Sequence, residues 1–371
     1  MTRDALRSIR RMTWLQGEHM YTYRGNIHIH SAYSDGSGSI EEITADAAAE
    51  GLSYIIIADH NSLDGLPEQA VRRGVVVLVG TELNREKNHY LVLNLDKPVP
   101  GSNEDPQELI ERVARAGGIG FLAHPFEKGS PYIEKGKAHP WKNWPVFGFH
   151  GMEIWNYTSH WRGFHPSPFK TIYHFFFDRK GAMSGPPPEL LALWDCYNIS
   201  GHRVVGIGSS DAHAFPYKLG PISIVIFPYR YLFKTINTYV VLETELSSAF
   251  TTARRQIIDA LQKGHCYSCF DSLHSGNGFR FFAGSLTDPV IMGSAADYKK
   301  GLQLHIDLPS GRSITRLVRN GRVINEFKEK SITFDPPGPG VYRVEVLFRR
   351  LFHRPQPWIY SNPIFLEPVL Q

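Results

Sequence analysis

Nine side chains able to bind a metal ion recur along this 371-residue chain: His28, His30, Asp35, His60, Glu82, His89, His124, Asp211 and His213. His28 and His30 stand two residues apart, so on a strand both would project to the same side. A single strand-end histidine is more often a hydrogen-bonded structural residue than a ligand. Only the whole set together therefore points to a metal site. Mixed imidazole and carboxylate donors suit Mn, Zn or Fe, whereas an all-oxygen set would suit Mg or Ca. Nine donors exceed what one ion needs, so two or three divalent metal ions are expected.

The elements that must position these residues are short apolar runs alternating with helical patterns. The runs are Ile27–His30, Tyr54–Ala58, Val75–Leu83, Tyr90–Leu95, Ile119–Ala123, Met152–Trp155 and Val204–Gly208. Such alternation predicts βα units and a parallel sheet or barrel. Nearly every candidate ligand falls where a predicted strand gives way to a loop, and in α/β barrels those strand ends converge on one face. Ser39-Ile40-Glu41-Glu42 reads as a capping box that opens a helix. The segment from Glu104 to Ala116, before Gly117-Gly118, reads as a second helix with a glycine stop.

The rhythm breaks at Thr158–Ser200, rich in aromatics, His and Pro, which reads as a long loop over the site. A helix over Thr252–Lys263 is followed by short strand patterns at Phe279–Phe282, Leu302–Ile306, Ile314–Arg319 and Gly340–Phe348. These predict a small all-β sandwich. The expected organisation is an extension over 1–23, a catalytic α/β unit over 24–275 and a β domain over 276–371.

Hydrophobic residues at 42% and charged ones at 20% fit an ordinary globular protein with a sizeable core. A net charge of +4 is too small to imply a nucleic-acid or membrane partner, and no apolar run approaches the ~20 residues needed to span a bilayer. Arg3, Arg7, Arg10 and Arg11 precede no signal-peptide core, so the expected location is cytoplasmic. Cys196, Cys266 and Cys269 are too few for a disulfide framework. Cys266 and Cys269 lack the second pair that a structural zinc site needs, and read as ordinary thiols. Oligomeric state is not legible.

The runs His28-Ile29-His30 with Ser34-Asp35-Gly36, Ala58-Asp59-His60-Asn61, Gly80-Thr81-Glu82, Ala123-His124-Pro125 and Ser210-Asp211-Ala212-His213 resemble the successive motifs of PHP (polymerase and histidinol phosphatase) domains. The resemblance covers about residues 24–230, with all motifs in order. It implies a distorted (β/α)7 barrel with a bi- or trinuclear metal site at the nine positions named. Asp35 and His89 look like the trinuclear, metal-dependent phosphoesterase branch. The arrangement with Leu261–Tyr267 leading to a β module that contains Leu317-Val318-Arg319-Asn320-Gly321 looks like a subgroup of metallohydrolases similar to carbaryl hydrolase.

A water bridging two such ions would lose its proton near neutral pH and act as nucleophile. Glu82 and Asp211 are the candidate catalytic carboxylates beside it, and Asp59 is expected to orient an imidazole. For a small, anionic substrate, Arg162, His160 and Lys128 are the candidate contacts, with Trp155 and Trp161 as a stacking wall. His165 lies in the same stretch. The competing readings are a solvated Arg162 and Trp residues that only pack. The expected activity is hydrolysis of a small phosphorylated molecule or nucleotide. The alternatives are a carbamate, ester or amide hydrolase using the same metals, or a non-catalytic binding or regulatory module.

Overall fold

The computed structural model describes residues 20–369 apart from 85, 103–104, 132–135, 165–166 and 220–221. Most of the 1–23 extension, and His165, lie outside the described residues.

Strand β1 (Tyr21–Ile29) is half exposed at its start and buried from Gly25 onward, where it runs parallel to β2 (Tyr54–Ile57). β2 is in turn parallel to β4 (Val75–Val79), and every residue of both is buried. Such two-sided burial needs helices or another sheet on each face, which is why these strands read as unbroken apolar runs. β3 (Ala70–Arg72) pairs antiparallel with the outer edge of β4. The helix Ile40–Ala49 covers one face, opened by a complete capping box from Ser39 and Glu42.

The run Val75–Leu83 is two strands, not one. At Gly80 the carbonyl oxygen of Val92 lies 2.4 Å from where a Cβ would stand, so only glycine allows the chain to cross here. Beyond it, β5 (Thr81–Leu83) joins a second sheet with β6 (Tyr90–Leu93), β7 (Ile119–Leu122), β8 (Gly151–Asn156) and β9 (Val205–Ser209). In this sheet β5–β6 and β6–β7 are antiparallel, while β7–β8 and β8–β9 are parallel. The two sheets meet at isolated bridges, Ile29 to Ala212 and His60 to Glu82, and at paired bonds between Gly208 and Thr238 Oγ1 of 3.0 and 2.7 Å. The fold is thus mixed α/β. The expected distorted (β/α)7 barrel is not closed among the described residues, where two sheets touch at their edges.

β12 (Ile236–Leu242) pairs antiparallel with the free side of β1, and β13 (Cys266–Phe270) with β12. The helix Phe250–Lys263 between them ends at Gly264 with φ 73, a left-handed stop. Cys266 and Cys269, three apart on β13, enter different apolar clusters. Burial pushes the Cys266 thiol up to about 12, so it stays protonated.

The ladder continues from β13 into β22 (Gln356–Ser361) and on to β21 (Gly340–Phe348). A four-stranded sheet of Arg280–Ser285, Asp288–Ile291, Leu304–Asp307 and Ser331–Phe334 shares one apolar cluster with that ladder, in which Phe281, Leu304 and Ile306 meet Val344, Trp358 and Ile364. Arg343 on β21 also forks onto Asp195 of the helix Pro188–Ile199, with two buried bonds of 2.7 Å.

The stretch Thr158–Ser200 is mostly helical, against the expectation of a long loop. It holds helices Tyr157–Gly163, Pro168–Phe176 and Pro188–Ile199 and a 3₁₀ turn at Arg179–Ala182. Asn156 and Ser167 cap the first two of these helices, and Pro168 and Pro188 stand at first-turn positions where a missing N–H costs nothing.

Candidate metal centre

Glu82 is the hub. Buried on β5, it points both carboxylate oxygens into a ring of imidazoles. Its Oε2 lies 3.3 Å from His28 Nε2, 3.4 Å from His30 Nε2 and 3.2 Å from His60 Nδ1. Its Oε1 lies 2.9 Å from His89 Nδ1 and 3.1 Å from His124 Nε2. Asp211 faces the same centre, with Oδ1 3.6 Å from the Nε2 of both His28 and His30 and 3.5 Å from His213 Nδ1. Asp35 stands at the open side, 3.4 Å from His30 Nδ1 and from His213 Nε2 and 3.7 Å from His60 Nε2. All nine candidate ligands therefore meet in one place.

The convergence is built into unusual backbone. His28 (φ 66), His124 (φ 26) and Asp211 (φ 52) all occupy positive φ, which non-glycine residues seldom adopt. The twist at His28 accompanies a register shift between Asn26 and Ile29, so simple strand alternation is not what brings His28 and His30 together. The chain around Asp211 is laced between them: His30 N–H donates to Ala212 O at 2.8 Å, and Ala212 N–H to His28 O at 3.1 Å. Strain of this kind persists only where the surroundings hold it, and it clusters at functional sites.

Burial and charge set the protonation of the cluster. Burial alone would lower His28, but the carboxylates of Glu153, Glu82 and Asp211 outweigh it and hold His28 well above its ordinary value. At His124 burial is likewise outweighed, by Glu82 and Glu127, and its pKa rises to about 9. His30, fully buried and stacked on His213, falls to about 3. Burial opposes ionisation of Glu82 and Asp211, yet the surrounding imidazoles keep both well below the usual carboxylate range.

The residues suit bound cations. His28 Nε2, His30 Nε2 and His60 Nδ1 are buried and have no hydrogen-bond partner among the described residues, an arrangement that costs stability unless something else occupies them. Four overlapping groups of donors each lie within 4.8 Å of one another: His30, Asp35, His60 and His213; His28, Glu82 and His124; His28, His30 and Asp211; and His60, Glu82 and His89.

Glu153, which in the sequence is only one residue of the run Met152–Trp155, supports two of these residues. Wholly buried on β8, its Oε1 is 2.7 Å from His28 Nδ1, and its Oε2 accepts from His124 N–H at 2.8 Å and from Asn156 Nδ2 at 3.0 Å. The signal available was a charged residue inside the apolar run Gly151–Asn156. Glu127, also missed, is buried 3.8 Å from His124 Nδ1 and accepts from His139 N–H at 2.8 Å. Among the described residues Asp59 bonds to serines and not to an imidazole. It accepts from Ser31 N–H at 2.8 Å and from the hydroxyls of Ser31 and Ser34, both at 2.6 Å, and so fixes the loop that carries Asp35.

Beside the cluster lies a cavity of ≈ 450 Å³, reached past the helices Tyr157–Gly163 and Pro168–Phe176. Of the expected substrate contacts, Arg162 lines it, partly exposed but already committed: its Nη1 is 2.8 Å from Glu127 Oε1 and its Nη2 donates to Lys137 O at 2.7 Å. His160 and Lys128 line a separate cavity on the other side of the same helix, and His160 Nε2 lies 3.1 Å from Ala182 O. Trp161 is on the wall of the first cavity, whereas Trp155, packed on Phe270 and Tyr360, lines the second.

Residues 26–128 match the PHP domain family, a span that includes every ligand candidate except Asp211 and His213. That span holds most of the motifs that resemble PHP domains and covers less than half of the chain. Among curated proteins, the error-prone DNA polymerase of Symbiobacterium thermophilum is 30% identical over 73 residues, 18% of this chain and 7% of that protein, so the chain spans only a small part of that relative's length. Among solved structures, a two-domain protein from Bacteroides vulgatus containing a predicted PHP-like metal-dependent phosphoesterase aligns over 95% of this chain and 97% of its own, with 15% identity and a TM-score of 0.43. An amidohydrolase from Chromobacterium violaceum aligns over 56% of this chain and 95% of its own, with 18% identity and a TM-score of 0.31. No helix among the described residues is long and apolar enough to cross a membrane.

Proposed function

We propose that this protein is a metal-dependent hydrolase whose reaction is phosphoester cleavage on a small molecule. The observation that carries the reading is the ring of five imidazoles around the buried Glu82, three of the nitrogens that face it having no hydrogen-bond partner among the described residues, beside an open cavity. The PHP domain match supports it. His28, His30, Asp35, His60, Glu82, His89, His124, Asp211 and His213 would hold two or three divalent ions, and the donor set suits Mn, Zn or Fe. Bound ions would supply Lewis acidity to the scissile group and to water.

The chain's own residues do the rest. Glu153 keeps a proton on His28 Nδ1, which leaves the lone pair of Nε2 facing Glu82 and Asp211. Glu82 and Asp211 concentrate negative charge where cations and a proton must be held, and Asp211 is the candidate to take the proton from attacking water. The aromatic wall around Trp161 keeps bulk water from the opposite side of the cavity. We assign 24–275 to this hydrolytic unit and 276–371 to a β-sandwich that braces it through Arg343 and Asp195.

The test is a substrate panel with Mn supplied. Release of phosphate from an aryl phosphate, abolished by chelation and restored by metal, is expected. Cleavage of an aryl ester or carbamate but no phosphoester would replace the reading with the alternative bond type, and no hydrolysis of either would refute it.

A further inference from the structure

The cavity wall opposite the candidate ligands is unusually apolar for a site that would take a phosphorylated compound. Trp161, Phe164, Phe175 and Phe227 line it, with Trp161 ring centroids 5.9 Å from Phe164 and from Phe227 and 6.2 Å from Phe175. Phe215 continues this surface to the cluster itself, stacked on His213 at 4.7 Å. Among the described lining residues Arg162 is the one permanent cation, and Glu127 already neutralises it. The hydroxyls on the wall are those of Ser130, Thr158 and Thr171, and Thr158 donates to Ser210 O at 2.8 Å while Thr171 donates to Ser167 O at 2.9 Å. A sugar, nucleoside or polyphosphate bound here would lose its hydration without regaining its hydrogen bonds, which is costly.

The apolar surface also does not stop at the mouth. Ile172 and Phe176 line the cavity yet are 55% and 68% exposed. With Phe169 and Tyr173, both exposed, they form a stripe at i, i+3, i+4 and i+7 along the helix Pro168–Phe176. An outward apolar stripe joined to an apolar pocket marks a ligand-binding surface more often than bare solvent contact.

We propose that the substituent carried by the scissile group is a hydrocarbon-rich one, an alkyl chain or an extended aryl group, which fills the wall around Trp161 and runs out over Ile172 and Phe176. This rests on the hydrolase reading above and narrows its substrate class.

The experiment compares ethyl-, butyl- and octylphosphonate binding to the full-length, Mn-loaded protein by calorimetry, with ribose 5-phosphate as a polar probe. Hydrolysis of the matching alkyl phosphates is followed in parallel. Burying a methylene is worth roughly a fourfold gain in affinity, so even partial burial predicts octylphosphonate binding at least about tenfold tighter than ethylphosphonate. Phe176→Glu, at an exposed position that tolerates charge, should shrink that ratio to about twofold or less. Equal affinity across the series, ribose 5-phosphate binding as tightly as the octyl compound, or an unchanged ratio in Phe176→Glu would overturn the inference. So would a wild-type dimer that becomes monomeric in Phe176→Glu without any chain-length effect, since a second copy would then cover the stripe. Chain-length-dependent binding with no turnover would sink the hydrolase reading alone, and turnover without chain-length dependence would sink this inference alone.

Discussion

Replacing Glu153 by Gln is the sharpest probe of how the site is held, because it alters one charge and almost no volume. In the native arrangement both carboxylate oxygens accept: Oε1 faces His28 Nδ1 at 2.7 Å, and Oε2 receives His124 N–H at 2.8 Å and Asn156 Nδ2 at 3.0 Å. A Gln must turn its NH₂ to one side or the other. Facing His28, it forces Nδ1 to accept and moves the ring proton to Nε2, the nitrogen aimed at the cluster. Facing His124, it sets donor against donor in a fully buried space. The first arrangement puts a proton on the ligating nitrogen and the second leaves a buried donor unpaired; at about 1–3 kcal/mol this is roughly a tenfold to hundredfold loss of metal affinity and matches the usual effect of removing a ligand's supporting carboxylate. Competition against a chelator, with circular dichroism and thermal unfolding of the metal-free protein run alongside, measures this directly. A folded Glu153→Gln protein that binds metal within twofold of wild type would refute the reasoning.

Three further outcomes follow from the same geometry. Asp211→Asn keeps the shape of a buried residue 3.6 Å from two imidazoles but removes its charge, so turnover should fall by about 10² or more with the fold retained, as kinetics on the refolded and metal-loaded variant would record. In the metal-free protein His124 titrates near 9 and His28 well above its ordinary value, so both hold a proton at pH 7 that ligation must expel. Metal uptake should therefore release about two protons at pH 7 and strengthen as pH rises toward 9; calorimetry in buffers of different ionisation heat that finds no release would contradict those raised values. Asp195→Ala strands the buried Arg343 guanidinium beside Glu345 alone and should cost about 3–5 kcal/mol in denaturant unfolding, an expectation that a loss under about 1 kcal/mol would defeat.

The members of the cluster were legible because nearly every imidazole or carboxylate among them adjoins an apolar run, as in Ala58-Asp59-His60 and Ala123-His124-Pro125, and strand termini converge whatever the sheet order. The sheet order itself was not. The crossing at Gly80 depends on a carbonyl twelve residues further on, at Val92, and local pattern carries no trace of it. The helices of 157–199 could have been found, since Ser167-Pro168 is a cap followed by a first-turn proline, but the aromatic density obscured the period. Arg162 illustrates the deeper limit: its partner Glu127 is 35 residues away in the chain, and only folding reveals that the charge is already matched. Asp59 sat beside a ligand in sequence and beside serines in space.

A metal cluster and a hydrogen-bonded core differ in what the imidazole ring around Glu82 holds. Elemental analysis of the full-length protein, expressed with Mn, Zn and Fe supplied and desalted before measurement, distinguishes them most directly. The arrangement of nine donors predicts at least about two transition-metal ions per chain, falling markedly in Glu82→Gln, whereas less than about one ion per chain in the folded wild-type protein would contradict it.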